Sequence, residues 1–172
     1  MTFYEVSPNV PADVLCEEED LVVFHPEIIN VPIATHSKYM FVLPMGESKI
    51  ICCSASIGVT EDLADAIRNS GLTGVRVGPE AEVEMASGCD PERIGELPTL
   101  FSLIPDGVPM VDDFGVGGPI GGSIYVSQPA YDLLLAHEPT LAAWEVGPDG
   151  RPLPRDEAEF LRRVRARKKR DD

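Results

Sequence analysis

The stretch that most constrains this chain is Gly122–Pro148, GSIYVSQPAYDLLLAHEPTLAAWEVGP. A short β-prone run, Ser123–Val126, leads into Ser127, whose hydroxyl can accept from the free amides of a helix start. Pro129 suits the amide-poor first turn that follows. Leu133, Leu134 and Leu135 with Ala130 and Ala136 make the apolar side of about two helical turns. Pro139 ends the helix by steric clash and by loss of a donor. Leu141–Val146 then closes the unit as a second apolar run before Gly147–Pro148.

An earlier stretch, Ser56–Pro79, repeats this order as SIGVTEDLADAIRNSGLTGVRVGP. Val59–Thr60 stands where Val126–Ser127 stands later, Leu63, Ala64 and Ile67 form the apolar helical side, and Gly71 stops the helix. Val75 and Val77 alternate with Gly74 and Arg76 in strand period. Thr60 precedes Ser127 by 67 positions and Val77 precedes Val146 by 69, which predicts a two-residue insertion around the second turn. Two readings stand: an internal structural repeat of 56–79 and 122–148, or common strand–helix–strand grammar met twice.

The remaining elements follow from local signals. Phe3–Val6 reads as an opening strand ending at Pro8, and Glu17–Asp20 as a solvated face before Leu21–Phe24. Ile28–Ile33, broken by Pro26, Asn30 and Pro32, reads as a short irregular element. Lys38–Leu43 and Ser48–Ala55 are strands, and Pro44–Glu47 between them predicts a hairpin turn. Glu80–Met85 extends a sheet or forms its edge, Ser87–Pro98 reads as loop in which Pro91–Gly95 is short for a helix, and Leu100–Ile104 is a further strand candidate. Pro105–Gly122, with six glycines and three prolines, predicts a shaped surface loop. The expected fold is α+β: a mixed or mainly antiparallel sheet with two strand–helix–strand units and a short C-terminal helix. Residues 1–154 form one domain, and 155–172 a basic helix or frayed tail with Phe160, Leu161 and Val164 on one face.

Charge narrows the partners. Residues 1–150 hold five of the 14 basic side chains and 24 of the 29 acidic ones, net −19, whereas the last 22 residues carry nine against five, net +4. An acidic body repels phosphate backbones and attracts a basic partner by its long-range field, or serves solubility alone. No nucleic-acid partner is therefore expected, despite the run Lys168–Arg170. No apolar run approaches the roughly 20 residues that cross a bilayer, so no membrane partner is expected, and the N-terminus lacks a signal core. A cytoplasmic location follows as an expectation.

Catalytic patterns are weak. The histidines are His25, His36 and His137, and no local signature links His36, Ser37 and Cys53 as base and nucleophile. The four cysteines show neither a CxxC pair nor finger spacing, and read as thiols in a reducing compartment. Alternation along Ile50–Ala55 sends Cys52 and Cys53 to opposite faces. Asp112 and Asp113 lack the further oxygen ligands of a hard-cation site, and GVGGPIGG lacks the lysine of a phosphate cradle. No cofactor and no metal site are expected. The expected partner-binding residues are Asp112, Asp113, Phe114 and Ile120 in the glycine-rich loop, with Trp144, which either packs in a core or anchors an interface.

At Val59–Thr60, Gly71–Pro79 and Val126–Pro148 the chain resembles the Imm11 family, best known from myxobacterial genomes. The opening FYEV and the stretch VSQPAYDLLLAHEPTLAAWEV carry the likeness, which covers roughly residues 1–150. The resemblance implies an immunity-type protein of bacterial polymorphic toxin systems that binds and neutralises a cognate toxin in the cytoplasm. It brings no catalytic residues; its characteristic Ser or Thr falls on Ser127 and on Thr60 as a helix cap. The glycine-rich loop and the basic tail depart from the pattern. The first expectation is thus a non-enzymatic module that occludes a basic toxin. An oligomeric structural or signalling adaptor and a small hydrolase with an unrecognised site are the alternatives.

Overall fold

The computed structural model describes residues 1–7, 14–28, 30–116 and 123–153. Eleven strands and three helices are named in chain order. The first strands are β1 (Phe3–Ser7), β2 (Val14–Val23), β3 (Pro32–Phe41), β4 (Ile50–Cys53) and β5 (Ser56–Thr60), followed by α1 (Glu61–Ser70). Next come β6 (Val75–Glu80), β7 (Glu82–Met85), the one-turn α2 (Pro91–Ile94), β8 (Leu100–Pro105) and β9 (Phe114–Val116). The last elements are β10 (Ile124–Ser127), α3 (Gln128–His137) and β11 (Ala142–Val146). The fold is α+β, and the β3–β7 pair is the parallel exception among antiparallel named pairs. Among the described residues no helix is long and apolar enough to cross a membrane. The predicted C-terminal helix lies outside the described residues.

Both strand–helix–strand stretches form the same arrangement. One sheet runs β4-β5-β8-β6 and another β9-β10-β1-β11. In each, the strands before and after the helix flank an antiparallel strand supplied from elsewhere in the chain, and a hairpin partner lies outside the first. Local chemistry ends both helices as sequence dictates: Gly71 caps α1 in the left-handed region at φ 71°, and α3 stops before Pro139. Ser127 accepts from the Ala130 amide at 3.4 Å, while Thr60 makes no side-chain cap and donates to Asp62 instead.

Register corrects the expected insertion. Val59 lies opposite Phe101 and Val126 opposite Tyr4, which keeps the 67-residue spacing. In the closing strands Val77 lies opposite Leu103 and Ala143 opposite Val6, a spacing of 66. The second connection is one residue shorter rather than two longer. A bulge between Val77 and Glu80 then adds one more residue to the first unit: Glu80 lies opposite Phe101 and Glu145 opposite Tyr4, a spacing of 65.

The inner faces of both four-stranded sheets share one core with α1 and α3, built around Ile57, Val59, Leu63, Leu103, Phe114, Val126 and Leu134. The outer face of β4-β5-β8 is covered by a third sheet, β2-β3-β7. Tyr39, Phe41, Ile51 and Leu100 fill the gap between these layers. Cys52 joins the first core and Cys53 the second, on opposite faces as alternation requires.

Further expectations change: β2 runs through Glu17–Asp20, and Pro91–Ile94 forms the one-turn α2. Pro44–Glu47 is not a hairpin turn: β3 pairs with β2 and β7, β4 pairs with β5, and the segment crosses between layers. The hairpin turn falls instead at Ser54, which takes φ 55°. The loop 105–122 contains β9, whose three residues are all buried. Sequence hid this strand because its apolar residues are only Phe114 and Val116 around a glycine.

Candidate partner-binding face

The side of β2-β3-β7 turned away from the core gathers several carboxylates. The pleat that buries Ser37, Tyr39 and Phe41 turns His36 and Lys38 outward. Register sets Glu17, Lys38 and Glu82 in one row, and Glu19 opposite His36. Glu80 completes a groove of about 440 Å³ lined by these residues. Lys38 reaches Glu84 at 3.0 Å. This hydrogen bond raises the Lys38 pKa against its own desolvation, and the fields of Glu84, Glu17 and Glu82 add to it. One ammonium is shared among several carboxylates, so the face stays negative.

The other cations of the body are largely spent internally. Lys49 pairs with Asp62 at 3.2 Å, Arg68 with Asp65 at 2.8 Å, and Arg76 with Asp106. Such surface pairs contribute roughly 0–1 kcal/mol each, but they remove the positive charge that would offset the field.

A second concavity of about 620 Å³ opens between the 44–49 segment, Thr60, Glu96, Pro98 and the end of α3. Its polar groups bind one another. Asp62 accepts from Lys49 and faces His137 Nδ1 at 3.9 Å. Glu138 accepts from Ser48 Oγ at 2.9 Å and the Lys49 amide at 2.8 Å. Burial works to raise the Glu138 pKa, and the hydrogen bonds from Thr140, Lys49 and Ser48 outweigh it and hold the carboxyl below its ordinary value.

The residues expected to bind a partner are dispersed. Phe114 is a correction: its side chain is 0% exposed and sits in the main core, so it offers no contact surface. Asp113 fastens the loop, accepting from Thr73 N at 3.0 Å, Thr73 Oγ1 at 3.2 Å and Ser127 Oγ at 2.6 Å. Burial opposes its ionisation, yet these hydrogen bonds hold its pKa below the usual carboxylate range. Asp112 accepts from the Val108 amide at 2.8 Å and shapes the same turn. Ile120 lies outside the described residues. Trp144 is 47% exposed on β11, at the opposite edge of the sheet from β9, so it shares no patch with Asp112 and Asp113.

His36, Ser37 and Cys53 do not converge. His36 is exposed on the outer face, whereas Ser37 points inward to hydrogen-bond Ser56. The acidic face itself was missed because its carboxylates come from two stretches some 60 residues apart; the alternation Glu17, Glu19 and Glu80, Glu82, Glu84 was the available signal. No family model, curated protein or solved structure matches the chain.

Proposed function

We propose that this chain is a non-catalytic protein-binding module that captures a basic partner on the outer face of β2-β3-β7. Toxin neutralisation by surface occlusion is the specific form, as the resemblance implies. The single observation that carries the reading is the carboxylate groove of Glu17, Glu19, Glu80 and Glu82, crossed among the described lysines and arginines by Lys38 alone. A twisted sheet face presents these groups on a fixed frame, so little side-chain ordering is needed on docking. Their summed field steers a cationic partner and accelerates encounter, with an effect that fades as salt rises.

The test begins with affinity capture of the partner from the source cell, followed by binding measurements on purified proteins. Glu17→Lys with Glu82→Lys is expected to weaken binding at least ~10-fold, mainly through the on-rate, and to flatten its salt dependence. Asp112→Arg is the control on the loop. For the immunity form, the partner expressed alone arrests growth and co-expression of this chain restores it. Unchanged affinity in the double charge reversal overturns the reading.

A second reading, self-association as an adaptor, is favoured by Trp144, which stands 47% exposed beside Glu5 on the outer face of its sheet. A solution mass of one chain, unchanged in Trp144→Ala, removes it.

A further inference from the structure

Between the covered sheet and its cover, chemistry gathers at one spot. Cys16 lies opposite Tyr39 in the β2–β3 pair, and Cys53 lies opposite Ser56 in the β4–β5 pair. The Tyr39 and Ser56 hydroxyls meet at 2.7 Å across the layers. Two residues from Cys16, Glu18 accepts from the Ala55 amide at 2.6 Å, holding β2 against the turn that follows Cys53. Both thiols pack in the same interlayer cluster, near enough to perturb each other's protonation, and both are partly accessible.

We propose that Cys16 and Cys53 form an oxidation site, at which a hydroperoxide converts the two thiols to a disulfide that staples the acidic sheet to the β4–β5 hairpin. The surroundings of each sulfur assign the roles: Cys16 Sγ donates to the Glu17 carbonyl at 3.7 Å, which engages its proton. Desolvation raises both thiols, Cys16 to about 12, but the contact with Cys16 lowers Cys53 while the same contact raises Cys16. Cys16 therefore stays the thiol, and Cys53 is the attacking sulfur.

Cys53 sulfur attacks a peroxide oxygen, the O–O bond breaks, and a sulfenic acid and an alcohol (water from hydrogen peroxide) result. Cys16 sulfur then attacks the sulfenic sulfur, the S–S bond forms, and the S–O bond breaks. The departing hydroxide takes the Cys16 proton and leaves as water. Two thiols and one hydroperoxide thus give one disulfide, one alcohol and one water. Because both thiols are held protonated at neutral pH, the reaction is slow there and quickens as pH rises.

The experiment treats the full chain with hydrogen peroxide, then maps peptides without reduction and records Tm. The expected product is a Cys16–Cys53 linked peptide pair, with Tm raised by roughly 5–15 °C and restored by dithiothreitol. Cys16→Ser accumulates a sulfenic acid on Cys53 that a dimedone probe labels, and Cys53→Ser leaves Cys16 reduced. Four intact thiols, a sulfinic acid on Cys53 without the link, or links through Cys52 or Cys89 overturn the proposal. The wild-type peptide map decides by itself should either serine variant fail to fold.

Discussion

The two four-stranded sheets share a strand order and differ in what lies on their outer faces. In the covered sheet, register brings Ile51, Gly58 and Ser102 into one row, with Gly78 beside Ser102 at the bulge. The matching row of the other sheet is Gly115, Tyr125, Glu5 and Trp144. A Cβ on Gly58 would meet the Tyr39 hydroxyl at 2.9 Å, so the cover approaches only because that position has no side chain. Where no third sheet arrives, large side chains stand. Tyr125 donates to the Gly150 carbonyl at 2.9 Å, and Trp144 is left half exposed. One topology therefore serves two ends: small residues in the row admit another layer, and large ones keep the face for solvent or a partner.

The largest expected effect tests the core common to both sheets. Phe114→Ala should destabilise by ~3–5 kcal/mol in urea unfolding, since the whole ring is buried. A loss under ~1 kcal/mol would return Phe114 to the surface role that the sequence suggested.

The contrast between outer faces is sharpened by Gly58→Ala, expected to cost ~1–3 kcal/mol by overpacking against Tyr39. Tyr125→Ala, in the matching position of the open sheet, should cost about 1 kcal/mol, chiefly through lost strand packing. Equal losses at the two positions would break the comparison.

Helix starts differ as well. Ser127→Ala should cost ~1–2 kcal/mol because the hydroxyl both caps α3 and donates to Asp113. Thr60→Ala should cost about half as much, since its side chain caps nothing.

The smallest effect is electrostatic. Hydrogen bonds hold Asp62 and Asp113, one near each helix start, below their ordinary pKa. For Asp62 the Thr60 hydroxyl is the main cause, with Lys49 assisting. A depressed carboxyl adds stability that is present above its unfolded pKa and lost as pH falls through the folded value. Tm should therefore hold near neutrality and drop as pH falls below about 4, less steeply in Asp113→Asn. Each such carboxylate is partly exposed, so the screened contribution is at most ~1 kcal/mol.

Much of this was legible in the chain, because the deciding interactions are local. Ser127, Gly71 and Pro139 act within one helical turn, and the 67-residue echo of Val59–Thr60 in Val126–Ser127 reports two units of like order. The surroundings of the loop residues were not legible. Asp113 reads as a surface acid until Thr73 and Ser127 close around it, and Phe114 reads as loop until β10 pairs with its strand.

By itself, then, the sequence determined where α1 and α3 begin and end, the alternation along strands such as β4 and the surplus of negative charge, since these depend on neighbours a few residues away. Only tertiary structure decided which of two like sheets receives a cover, which carboxylates gather on one face and which thiols meet. Those outcomes depend on registers between distant strands, where a shift of one residue turns every side chain to the opposite face.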